Sequence, residues 1–168
     1  MMAAIMAAIM TFLTVACTDD SVAYIQFQTI PSEEGLYERD TLHFTVDSIP
    51  ADGAYTTYLC VRANTEYPYR NVSFLVAQTV IKKGTANKTR QRHTVSSNVF
   101  SETNRHIWPG SAYYSTELPV TTANLHKGDS LVIEVRHNMR RETMPGITDL
   151  GIKVVKKAIV PEASASGS

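Results

Sequence analysis

Beyond residue 21 apolar side chains return at every second position in short runs separated by turn residues, and no stretch shows the 3.6-residue recurrence of an amphipathic helix. Alternation puts the apolar groups of an extended strand on one side, so the chain is restricted to an all-β fold of sheets packed face to face. The run Asp40 to Ser48 places Leu42, Phe44 and Val46 on one face, with Thr41, His43, Thr45 and Asp47 on the other. Strands are likewise expected over Val22 to Thr29, Tyr55 to Ala63, Tyr113 to Leu118, Leu131 to Val135 and Leu150 to Lys157. Asn71 to Ile81 is apolar almost throughout and suits a strand crossing the centre of a sandwich. Lys82 to Lys88 reads as a hairpin connection, and the polar, basic Thr89 to Ser96 suits an edge strand guarded by charge. About eight strands with such punctuation predict a two-sheet antiparallel β-sandwich.

The chain has 168 residues, the size of one ordinary domain. Residues 1–16, MMAAIMAAIMTFLTVA, are uncharged, shorter than the roughly 20 residues of a bilayer-spanning helix, and have the length of a signal-peptide apolar region. The segment Leu13-Thr14-Val15-Ala16-Cys17 resembles the bacterial lipobox. That resemblance implies a lipoprotein signal peptide over 1–16 and diacylglycerol on the Cys17 thiol. Residues 17–21 would then be a lipidated tether, 22–158 the β-sandwich, and 159–168 a disordered tail without periodicity. More than one acyl chain supplies the multiple signals that stable membrane anchoring needs. With Cys17 lipidated, Cys60 has no partner for a disulfide, and in the apolar run Tyr58 to Val61 it reads as a small buried hydrophobe.

Sixteen basic and sixteen acidic side chains cancel, so no overall field collects nucleic acid and none is expected as a partner. The charges are nevertheless segregated: residues 18–66 hold nine acids against two bases, and 67–110 seven bases against one acid. Complementarity between the two stretches, or a polar partner surface, is the expectation. His43, His93, His106, His126 and His137 show no metal-ligand spacing. No nucleophile elbow, zinc-protease helix or phosphate-binding loop occurs, so the reading is non-enzymatic, with no catalytic residue, metal or cofactor. Trp108, Tyr113 and Tyr114 lie in or beside a long connection and are candidates for stacking a sugar; they support an alternative reading as a surface glycan-binding module. Four tripeptides, Asp20-Ser21-Val22, Asp40-Thr41-Leu42, Asp47-Ser48-Ile49 and Asp129-Ser130-Leu131, resemble the Asp-Ser/Thr-aliphatic glycosylation sequon of Bacteroidetes envelope proteins.

Two further motifs carry a family resemblance. Asn64-Thr65, Tyr67-Pro68-Tyr69 and Asn71 stand before the apolar strand, and Met139-Arg140, Pro145-Gly146-Ile147, Asp149 and Gly151 lead into the last one. In order and spacing these resemble the gliding-motility-associated lipoprotein family GldH of the Bacteroidetes, over roughly residues 20 to 156. Arg70 and His137-Asn138 depart from the family pattern, as does the stretch 95–115. The resemblance implies a membrane-anchored lipoprotein of the cell envelope, outer membrane favoured. It would work through contacts with other envelope proteins in a gliding-motility and secretion-linked assembly.

The motif residues themselves read as structural. Pro68 restrains the backbone on both sides of itself, Met144-Pro145-Gly146 makes a tight turn with Gly146 at positive φ, and Asp149 is expected to accept hydrogen bonds from loop amides.

Overall fold

The computed structural model describes residues 21–31, 35–102 and 105–158. The expectations placed on residues 1–16, on Cys17 and on the tail from 159 lie outside the described residues. Ten strands follow in chain order: β1 (Val22–Thr29), β2 (Leu36–Tyr37), β3 (Leu42–Val46), β4 (Gly53–Asn64), β5 (Asn71–Ile81), β6 (Lys88–Asn98), β7 (Tyr113–Leu125), β8 (Ser130–His137), β9 (Thr143–Met144) and β10 (Ile147–Lys156). The described residues are all-β and contain no helix.

Two four-stranded antiparallel sheets carry the fold, one in the order β1-β10-β4-β7 and the other β3-β8-β5-β6. The alternation in sequence becomes the alternation in burial. Leu42, Phe44 and Val46 of β3 are buried while His43 and Thr45 are exposed, and in β8 Leu131, Ile133 and Val135 are buried. They meet Val72, Phe74 and Val76 of β5 and, from the facing sheet, Leu59, Val61, Leu150, Ile152 and Val154, in one continuous core. Each such side chain contributes roughly 1.5 to 3 kcal/mol when removed from water. One polar contact bridges the sheets inside that core, where Thr57 Oγ1 of β4 donates to Gln78 Oε1 of β5 at 2.7 Å. Both residues are buried, and each satisfies a group that would be costly to leave unpaired.

All eight expected strands are present, and β6 is an edge as its charge suggests. The strand expected to end at Leu118 runs on to Leu125 through Pro119. It can do so because β7 is also an edge, where a missing N–H faces away from the ladder, and because a register shift in the β4–β7 pairing takes up an extra residue there. The two-residue strands β2 and β9 form a separate ladder, Leu36 opposite Met144 and Tyr37 opposite Thr143. Two residues are too short to show a period.

The registers define two ends. Val22, Val155 and Thr56 lie side by side near one, together with Leu125, Ser130, Ile81 and Lys88. The other, called here the far end, gathers Thr29, Asn64, Asn71, Asn98, Tyr113, His137 and Ile147.

Candidate functional site

The two motifs, some seventy residues apart in sequence, meet at the far end. Tyr67 is buried at 1% exposure, with its hydroxyl donating to the Asn71 carbonyl at 2.8 Å and its ring edge-on to Tyr69 at 5.5 Å. Burial pushes the Tyr67 phenol far up, so it remains a neutral donor. Pro68 is exposed between them and restrains the backbone that brings the two rings into contact. Gly146, at φ 79°, lies directly against this loop: a Cβ there would stand 2.3 Å from the Tyr67 nitrogen and 2.6 Å from its Cα. The Gly146 carbonyl accepts from the Asn64 amide at 2.8 Å, which closes the contact.

The remaining motif residues support this junction. Met144 is fully buried on β9. Met139 packs on the core, and its amide donates to His137 Nδ1 at 3.3 Å. His137 is itself buried, and burial lowers its pKa, so the neutral ring that can accept this bond is favoured. Gly151 of β10 has no side chain because the ring of Phe27 on β1 lies over it, 2.6 Å from where a Cβ would be. The guanidinium of Arg62 lies over that ring, 4.2 Å from its centre. Asp149 sits within β10, half-buried, and accepts from the Thr29 hydroxyl at 3.0 Å. The expected bonds to loop amides are thus replaced by a cross-strand pair, because β10 begins before Asp149 rather than after it.

On this scaffold one exposed patch of the far end is basic and aromatic. Pro68, Tyr69, Asn138, Met139, Arg140 and Arg141 line an open recess of about 570 Å³, with Arg141 set over the Tyr69 ring at 5.9 Å. Farther down the second sheet, a cavity of about 240 Å³ on its outer face is lined by Arg90, Arg92 and Arg136 around Ala77. Glu134 holds Arg90 there at 2.5 Å and approaches His43 at 3.9 Å. Of the basic stretch 67–110, Lys82 and Arg90 do not pair with the acidic stretch 18–66. Lys82 and Arg90 turn instead to Asp129 and Glu134, because the sheet order sets β8 rather than β3 or β4 beside β5.

The three aromatic side chains offered as a sugar platform are separated. Trp108 is 5% exposed and donates from Nε1 to Ser97 Oγ at 3.2 Å. Tyr114 is 8% exposed, stacked on His106 at 3.7 Å, with its hydroxyl bonded to the Ser111 carbonyl. Only Tyr113, at 67%, faces solvent. Neighbouring residues of a strand point to opposite faces, so Tyr113 and Tyr114 could not share a platform. Cys60 is buried, and burial pushes its thiol up to about 11, which leaves it without nucleophilic thiolate at neutral pH. Among the described residues no group of three or more His, Cys, Asp or Glu side chains is gathered closely enough to hold a metal ion.

Sequence reasoning named Asp129 as the first residue of a glycosylation-like tripeptide and missed its structural role. Its carboxylate is 2% exposed and accepts from the amides of His126 at 2.9 Å and Lys83 at 3.1 Å and from Lys82 Nζ at 2.8 Å. Of the glycosylation-like tripeptides, Asp129-Ser130-Leu131 is therefore closed off at its acid, whereas Asp47 and Ser48 are both exposed. The signal that could have found Asp129 is Gly128 before it, at φ 90°, which lets the turn fold back over the carboxylate.

Comparison with known proteins adds the following. The family model described as GldH lipoprotein matches residues 22–154. No curated protein matches the chain. Among solved structures, the Eiger TNF from S. frugiperda is similar at 14% identity and a TM-score of 0.30, covering 66% of this chain, while this chain covers 62% of that one.

Proposed function

The chain belongs to the GldH lipoprotein family, and from that premise we propose that it is a non-enzymatic, membrane-anchored component of an envelope assembly. In this reading it serves gliding motility and the secretion linked to it. Acylated Cys17 anchors it, with the outer membrane as the favoured site, residues 17–21 are the tether, and the far end of the sandwich receives protein partners. The observation that carries the reading is the lock between Gly146 and Tyr67, which joins both family motifs into one rigid loop cluster. Rigid loops presenting Tyr69, Arg140 and Arg141 are suited to protein contact, since arginine and tyrosine give large contact area at small entropic cost.

Two experiments test it. Metabolic labelling with a fatty-acid analogue is expected to mark the wild type and miss Cys17→Ser; equal labelling would remove the anchor. The pair Arg140→Glu and Arg141→Glu, both on exposed positions, is expected to abolish the cellular phenotype while the melting temperature stays unchanged. Wild-type function in that double variant would refute the far end as the partner surface.

A further inference from the structure

Lysine and arginine are distributed differently over this molecule. Of its seven lysines, Lys82, Lys83, Lys88, Lys127, Lys156 and Lys157 all stand at the end of the sandwich where β1 begins, and only Lys153 lies mid-sheet, held by Glu117 at 3.2 Å. The arrangement is built from three separate stretches of chain. Asp129 fixes the turn bearing Lys82 and Lys83, and the methylenes of Lys83 lie against Gly128, where a Cβ would come within 2.4 Å of them. The first two lysines and Lys127 therefore belong to one unit. The Lys156 amide donates to the Ser21 carbonyl at 2.6 Å and the Lys157 amide to the Ala54 carbonyl at 2.8 Å, so the last two flank the point where the chain enters β1. Lys82 is neutralised by Asp129. The other five form no ion pair with a described acid, and they outnumber the two exposed acids of that end among the described residues, Asp47 and Asp52, even with Asp19 and Asp20 of the tether added from the sequence.

We propose that this lysine-bearing end is the face on which the protein rests on a bilayer, its ammonium groups against the phosphates of anionic phospholipid headgroups. The inference rests on the anchoring at Cys17 read above. Three residues lie between Cys17 and Ser21, and over those four steps, at roughly 3.5 Å each, a fully extended tether holds Ser21 within about 14 Å of the acylated position. That upper bound is less than two of the screening lengths, about 8 Å each at physiological salt, over which an anionic surface acts on charge. The sandwich then stands on its lysines. The eleven residues of β5, at about 3.3 Å each, lift Tyr69, Arg140 and Arg141 some 35 Å from the membrane.

The test uses the full lipidated chain in vesicles of phosphatidylcholine alone or mixed with phosphatidylglycerol, with amine-reactive labelling read site by site by mass spectrometry. Lys83, Lys88, Lys127, Lys156 and Lys157 are expected to label several-fold more slowly on the anionic vesicles, with Lys153 unchanged as the internal reference, and the protection is expected to vanish at 0.5 M salt. The variant Lys156→Glu, Lys157→Glu is expected to lose protection at the remaining three. A chain that floats with both vesicles and labels alike on each overturns the lysine face alone. One that floats with neither overturns the anchoring and the proposal with it.

Discussion

Gly146 and Tyr67 touch backbone to backbone: at φ 79° the glycine leaves only 2.3 Å between the Tyr67 nitrogen and the position a Cβ would take. No side-chain rearrangement can relieve that contact, because the obstructing atoms are main chain. Gly146→Ala is expected to cost on the order of 3 kcal/mol, combining a left-handed conformation with the clash, and Gly146→Val more. Urea denaturation of the variants checks this; a Gly146→Ala protein as stable as the wild type would show that the two motifs are not locked together.

Asp129 makes acid stability a specific expectation. Burial acts to raise its pKa, but the Lys82 ammonium and the His126 and Lys83 amides outweigh burial and hold it down at about 2. A folded-state pKa below the unfolded one contributes stability that is present above about pH 4 and is lost as pH falls toward 2. Asp129→Asn is expected to remove about 2 kcal/mol at pH 7, and its difference from the wild type is expected to shrink through that window. Chemical denaturation at pH 7, 4 and 2.5 measures it; a difference that stays constant with pH would mean the carboxylate is not the stabilising species.

Trp108 is expected to behave as a packing residue. Trp108→Ala should destabilise the domain by about 3 kcal/mol, as truncation of a buried aromatic does. Tyr113→Ala, at an exposed position, is expected to change stability by less than about 0.5 kcal/mol. Polysaccharide titration followed by Trp108 fluorescence is expected to give no response, and a saturable change would return the aromatic connection to consideration as a binding surface.

Asp149 bonds a single exposed hydroxyl, that of Thr29. Asp149→Ala is therefore expected to cost less than about 1 kcal/mol. A larger loss of melting temperature, or loss of cellular function without any loss of stability, would assign Asp149 a role beyond that cross-strand pair.

Strand identity was legible in the sequence because a period of two is a property of each strand alone: Leu42, Phe44 and Val46, or Leu131, Ile133 and Val135, declare their buried face without reference to any neighbour. The positive φ at Gly146 was legible for the same local reason, in the turn Met144-Pro145-Gly146. What the turn presses against was not, since Tyr67 reaches it only after β10 has paired with β4. The roles of Asp129 and Asp149 show the limit most clearly. Both precede apolar strand residues, yet one is a buried carboxylate with three donors and the other a half-buried partner of one hydroxyl. The difference lies in Lys82 and Lys83, brought to Asp129 from the end of another strand. Likewise Trp108 and Tyr114 have the composition of a binding platform, and their packing against Ser97 and His106 decides otherwise. Alternation and turn chemistry act over a few residues and are written in order along the chain. Burial of a charge, closure of a loop and the gathering of lysines at one end depend on contacts between distant segments, which only the assembled sheets supply.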